Sequence, residues 1–192
     1  MSLGLMDMEN DSRRGRGHTY ARIAILVLGL LLLAFVDVVV LERIYKPISA
    51  KHSIPWEEFE IHVPLAGEGA RMLWWHLAFG PLGIMLFVLA GMSGGDLGLA
   101  LAGIVLFAAG WEDILYYVIQ LKLVPQGLPW LDVNPAIAWT RILTRSEHVT
   151  RIGLFISTGC SGVLAAVILG FQWIWQHRRR PERFSESGQQ YE

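Results

Sequence analysis

A single cysteine, Cys160, excludes an internal disulfide and any zinc or iron–sulfur cage built from thiolates. It sits inside an apolar run, where a thiol serves as a small packing group. Charge is scarce too. Asp, Glu, Lys and Arg make up 17% of the 192 residues, against about 25% in an ordinary soluble domain. A formal net charge of −1 leaves no basic field for nucleic acid, so no nucleic-acid partner is expected. The chain also lacks a Walker loop, a dinucleotide fingerprint and a His-Glu-x-x-His pair. No repeat of fixed period divides it.

What is present is apolar. Hydrophobic residues make up 53% of the chain, and the mean hydropathy is +0.41. The missing charge is absent from long runs and gathered at the ends and in two connecting segments, which is the pattern of an integral membrane protein. The fold expected is an all-α bundle of four transmembrane helices. Residues 1–20 read as a flexible cytoplasmic tail, 21–176 as the membrane domain and 177–192 as a second cytoplasmic tail.

The first helix is expected over about 21–46. It is too long for the core of a signal peptide, and Glu42, Arg43 and Lys46 follow it where small residues would mark a cleavage site. The second is expected over 68–92 and the third over 97–121, joined by the tight turn Ser93-Gly94-Gly95-Asp96 with Asp96 as cap. Each is long enough for a hydrocarbon core of about 30 Å. The fourth is expected over 147–176. Between the first two, Phe59-Glu60-Ile61-His62-Val63 alternates as a short strand or an extended interfacial piece. In the third connector, Asn134-Pro135 opens a short amphipathic helix, with its tryptophans at headgroup level.

Arginines cluster outside the first and fourth helices, at Arg13, Arg14 and Arg16 and again at Arg178, Arg179 and Arg180. The positive-inside rule puts both termini in the cytoplasm, in the cell membrane, and an even helix count agrees. Lys46, Lys51, Lys122, Arg141 and Arg145 on the connectors pull the other way.

With that topology, four helices bring ionisable groups to one depth near the outer face. They are Asp37 and Glu42; Glu68, Arg71 and His76; Glu112, Asp113, Tyr116, Tyr117 and Gln120; and Glu147, His148 and Arg151. Such groups cost several kcal/mol at membrane depth unless they pair or face a wet cavity. Two imidazoles among carboxylates match the ligands of zinc, non-haem iron or manganese. The expected metal ligands are His76, Glu112, Asp113 and His148. Tyr116, Tyr117 and Arg151 are expected to move protons or polarise a substrate, and Glu147 and Asp37 to orient the imidazoles. This reading makes the chain a small membrane metalloprotein acting on a lipid or other hydrophobic substrate. Di-iron bundles carry Glu-x-x-His pairs, which are absent here, while His76 and His148 would also suit haem.

Two other readings use the same residues. Arg71 with Glu112, or Arg151 with Glu147, would be ordinary ion pairs in a non-enzymatic subunit that associates with itself as a homo-oligomer or with other membrane proteins. Alternatively, Asp37, Glu112 and Asp113 would titrate in a proton-coupled carrier. Gly159-Cys160-Ser161-Gly162 looks like the serine motif of rhomboid intramembrane proteases, but no helix follows it to supply the histidine such a serine needs.

Overall fold

The structure, a computed structural model, describes the backbone of residues 3–62 and 71–179, and side chains over 20–55, 58–60 and 73–176. Glu68, the segment 180–192 and the side chains of Glu57, His62 and Arg71 lie outside the described residues.

Helix α1 (Leu3–Val39) passes without interruption from the polar N-terminal segment into the apolar run. The segment expected as a flexible tail is thus helical from Leu3 onward, since extending a helix costs far less than nucleating one. At Val40–Tyr45 the ladder widens into one π-helical turn, then re-forms as α2 (Lys46–His52). Pro47 supplies the reason. It lacks the N–H that would bond the Arg43 carbonyl, and the turn before it relaxes. Ser53 ends α2 in the left-handed conformation, with its N–H on the Ser49 carbonyl.

After a 3-10 turn at Trp56–Phe59, the alternating segment takes the strand form. Strand β1 (Glu60–His62) pairs antiparallel with β2 (Arg71–Leu73), Ile61 opposite Met72. The strand uses residues expected in the second helix, so α3 covers Trp74–Ser93 and begins six residues later than 68. The turn after it forms as expected. Gly95 has φ +61°, and the Asp96 carboxylate accepts the Leu99 N–H at 2.9 Å.

The third helix is not continuous. Helix α4 (Leu97–Ala108) and α5 (Trp111–Ile119) meet at a 65° bend. The connector then folds on itself through a 3-10 turn (Pro129–Val133), α6 (Pro135–Ala138) and α7 (Thr140–Thr144). Asn134 caps α6 as expected, accepting the Ala136 N–H at 3.1 Å. Helix α8 runs over Arg151–Arg179. It starts four residues after 147 because the preceding chain pairs elsewhere. The Leu128 N–H bonds the Val149 carbonyl at 2.7 Å, and the Arg151 N–H bonds Gln126 at 3.0 Å.

The described chain is therefore mainly helical, with one short ribbon. Among the described residues, three helices are long and apolar enough to cross a membrane: Tyr20–His52, Trp74–Ser93 and Arg151–Gln176. The pair α4–α5 makes a fourth if the bent pair counts as one span. In each of the three, a third or less of the apolar window is buried within the chain. The rest forms an outer belt including Leu28, Phe35, Met85, Leu89, Val163 and Phe171.

Two cores hold the helices together. The first joins Leu26, Leu30 and Leu33 of α1 to Phe79 and Phe87 of α3, Leu99 and Ala102 of α4, and Ala165 of α8. Its tightest contacts are glycine against ring. Phe87 lies on the bare backbone of Gly103, and Phe107 lies on Gly83, so α3 and α4 each seat an aromatic side chain on the other. The second core packs Leu128, Leu131 and Ile137 of the connector against Val149 and Leu154. A sequence-local view treats this connector as a loop bearing a surface helix. In fact it caps one end of the bundle and buries Ile137 and Thr140 completely.

Candidate functional site

The break between α4 and α5 organises the polar cluster. Gly110 adopts φ +88°, a conformation that costs other residues about 1 kcal/mol or more. A Cβ at this position would also meet Leu154 at 2.6 Å and Ile137 at 2.9 Å. The side-chain amide of Asn134 donates to the Ala108 carbonyl at 2.8 Å, replacing a bond that the interrupted ladder gives up. On the other side of the bend the Trp111 indole donates to the Thr158 carbonyl at 3.0 Å and the Ser161 hydroxyl at 3.1 Å, tying α5 to α8. Ser161 is thereby a structural hydroxyl. Its own proton goes to the Thr158 carbonyl at 2.9 Å, which removes the protease resemblance at its central residue.

Glu112 and Asp113 occupy the first turn of α5, where the helix dipole favours anions. Glu112 is 7% exposed, and Asp37 of the facing helix α1 is 4% exposed. Asp113 follows Glu112 directly, and α5 packs against α1, which carries Asp37. Asp37 accepts the Trp75 indole N–H at 2.7 Å, and the Nε2 of His76 lies 3.9 Å from the same oxygen. The Trp130 indole is directed at Asp113. Among the described residues, no lysine or arginine forms an ion pair with any of these three carboxylates.

Glu42, on the π-helical turn, stands one step nearer the connector. Lys46 holds both its oxygens at 2.6 Å, Lys122 reaches it at 3.5 Å, and the Tyr116 hydroxyl donates to it at 3.3 Å. Tyr117 crosses Tyr116 edge to face, with ring centroids 5.2 Å apart, and packs into the connector core.

The expected metal ligands do not come together. Asp37, His76, Glu112 and Asp113 share one region, but His148 stands apart on the connector surface with its Nδ1 2.7 Å from Asp132. Among the described residues no three of His, Cys, Asp and Glu converge closely enough to hold a metal ion. His76, Glu112, Asp113 and His148 therefore do not form such a group among the described residues. Arg151 is also placed differently. Its guanidinium donates to the Val124 carbonyl at 3.3 Å, bracing the connector, while Glu147 is exposed.

Several site residues were hidden from a sequence reading. The expected site does not include Trp75 or Trp130, yet their indole N–H groups are turned to carboxylates. The expected site does not include Asp132 either, yet it accepts the Val149 N–H at 2.8 Å and lies 2.7 Å from His148. Tryptophan immediately before a helical histidine was the one available signal, and it is a weak one. No known protein family, curated protein or solved structure matches the chain.

Proposed function

We propose that this chain is a membrane-embedded proton-handling protein, a proton-coupled carrier whose titrating groups are Asp37, Glu112 and Asp113. The observation that carries the reading is three carboxylates gathered near the bend between α4 and α5, with tryptophan N–H groups and one imidazole around them and, among the described residues, no arginine or lysine paired to them. Ionising all three in a low-dielectric setting would cost several kcal/mol each, so protons or a transported cation must offset the charge. Broken helices at membrane depth are tolerated where the freed backbone is covered by protein or lines a cavity, and carriers place their coupling sites there. The bend at Gly110 with Asn134 on the Ala108 carbonyl is such an arrangement.

In this reading Glu42 exchanges protons with the aqueous face at the connector end, helped by Lys46 and Lys122, and the Tyr116 hydroxyl links it to α5. His76 buffers Asp37. The chain sits in the cell membrane with both termini in the cytoplasm, following its arginine clusters, so the connector end faces outward. The apolar belt meets lipid, and a homo-oligomer supplies the rest of a path too wide for one small bundle.

The test is proton flux. The protein, reconstituted in liposomes with a trapped pH-sensitive dye, should dissipate an imposed pH gradient. Glu112→Gln should reduce the rate at least about tenfold, a change of 1.4 kcal/mol or more in the barrier. Gradient decay equal to that of empty liposomes, across candidate organic and inorganic co-substrates, would sink the proposal.

A further inference from the structure

A second polar feature lies outside this cluster, on the connector. A surface cleft of about 450 Å³ is lined by Asp132, Ala138, Arg141, Ile142, Arg145 and Ser146. We propose that it binds the phosphate of an anionic phospholipid headgroup.

The charge balance points to an anion. Asp132 is the one acid in the lining, and it is already engaged by the Val149 N–H at 2.8 Å and His148 at 2.7 Å. Arg141 stands off at 3.9 Å from it, beyond hydrogen-bond reach. Arg145 has no carboxylate partner among the described residues. Glu147, the nearest other acid in sequence, is exposed and outside the lining. Two guanidinium groups, Arg141 in a loose ion pair with Asp132 and Arg145 with no carboxylate partner, thus offer planar donor forks suited to phosphate oxygens that no acceptor fills with a hydrogen bond among the described residues.

The backbone builds this arrangement. Helix α7 ends at Arg145 in the left-handed conformation, φ +49°, with the Arg145 N–H on the Arg141 carbonyl. The Ser146 N–H bonds the same carbonyl at 3.2 Å. The Ser146 hydroxyl is 2.7 Å from that of Thr144 and donates to the His148 carbonyl at 2.7 Å, which fixes the chain as it leaves the helix. A non-glycine residue in this region costs energy, and here the capping bonds hold it so that Arg145 stands at the cleft with Arg141.

The rim selects lipid over free phosphate. Ile142 is 80% exposed and Leu143 59% exposed, directly beside the arginines, and Trp139 stands half-exposed a turn away. In water this rim would be an apolar patch without a purpose. At a membrane interface it meets acyl chains and the glycerol region while the arginines meet the headgroup phosphate. This inference does not depend on the acidic cluster, so either can fail alone.

The experiment uses the full chain in zwitterionic detergent, titrated with dioctanoyl phosphatidylglycerol and dioctanoyl phosphatidylcholine and read by native mass spectrometry. The expected result is about tenfold tighter binding of the anionic lipid, the scale of one or two charge-assisted hydrogen bonds. That preference should vanish in R141Q/R145Q at an unchanged melting temperature, and millimolar inorganic phosphate should not displace the lipid. If the double variant does not fold, Arg145→Gln alone, which breaks no ion pair, should still lose most of the preference. Equal affinity for the two lipids, or a preference that survives R145Q, would overturn the proposal. Displacement by inorganic phosphate would overturn the lipid assignment and give the cleft to free phosphate.

Discussion

Both halves of the broken helix begin with acid, and the two beginnings are built in opposite ways. At the start of α4, Asp96 caps the helix and meets Arg22 of α1 at 2.5 Å, with side-chain exposures of 5% and 8%. Arg22 also reaches Gln176 of α8 at 3.1 Å, so one cation joins three helices. At the start of α5, Glu112 and Asp113 face Asp37 with no paired cation among the described residues. Magnitudes separate the roles. A helix N-terminus stabilises an anion by about 0.3–1 kcal/mol, up to ~2 in partly buried geometries, whereas burying an ion costs several kcal/mol. The dipole alone cannot hold a buried carboxylate in its charged form. Asp96 has a guanidinium to make up the difference and is a clasp. The α5 acids have indoles and an imidazole nearby but no cation among the described residues, and the proposed proton exchange rests on that shortfall.

The comparison breaks most readily at the clasp. Arg22→Met should strand Asp96 and cost about 3–5 kcal/mol, seen as a large drop in the detergent unfolding midpoint. A loss under about 1 kcal/mol would mean that the pair is not the structural member of the comparison. Pairing R22M with Asp96→Asn, which keeps a capping oxygen, should recover much of it.

Next in size is the hinge that creates the second helix start. Gly110→Ala forces a Cβ into the left-handed region and against Leu154, and should cost about 2–3 kcal/mol. Unchanged stability would indicate that the bend relaxes and the two helix starts are not held apart by this residue.

Trp75→Phe removes one indole donor from Asp37 and should cost about 1.5–3 kcal/mol, the range for a hydrogen bond to a charged group. If Asp37 is held neutral in the resting state, the cost should fall to roughly 0.5–1.5 kcal/mol, so the measurement reads its protonation directly.

The smallest stability effect, and the largest functional one, is expected at α5 itself. If protons already offset the charge of Glu112 and Asp113, Glu112→Gln and Asp113→Asn exchange neutral groups for neutral groups, and unfolding should move by no more than about 1 kcal/mol in either direction. Proton flux should nevertheless collapse. A loss comparable to that of Arg22→Met would place these acids in a structural network and erase the distinction between the two helix starts.

Much of the frame was legible because its causes are local. Apolar runs mark the membrane-length helices, the Ser93–Asp96 turn carries its own glycine and cap, and Asn134-Pro135 starts α6 by chemistry that needs no distant partner. The alternation around Ile61 shows a strand, but where its partner lay, and hence where α3 would begin, depended on residues 71–73. The bend at Gly110 was not legible. Phe107-Ala108-Ala109-Gly110-Trp111 reads as an ordinary apolar stretch with one tolerated glycine. The break is selected by Leu154 and Ile137 filling the space a Cβ would need, and by Asn134 receiving the freed carbonyl.

The site divides along the same line. The expectation of acids, imidazoles and tyrosines at one level follows from helix lengths and residue order, because a bilayer-length helix converts position in the chain into depth. Depth is not proximity. Which of those residues would meet depended on rotation of each helix about its axis and on the fold of the connector, and neither is encoded in any short window. So the sequence by itself determined the apolar helices and their turns. Tertiary packing alone decided that Asp37 would face Glu112, that His148 would turn to Asp132, and that Arg22 would find Asp96 across 74 residues of chain.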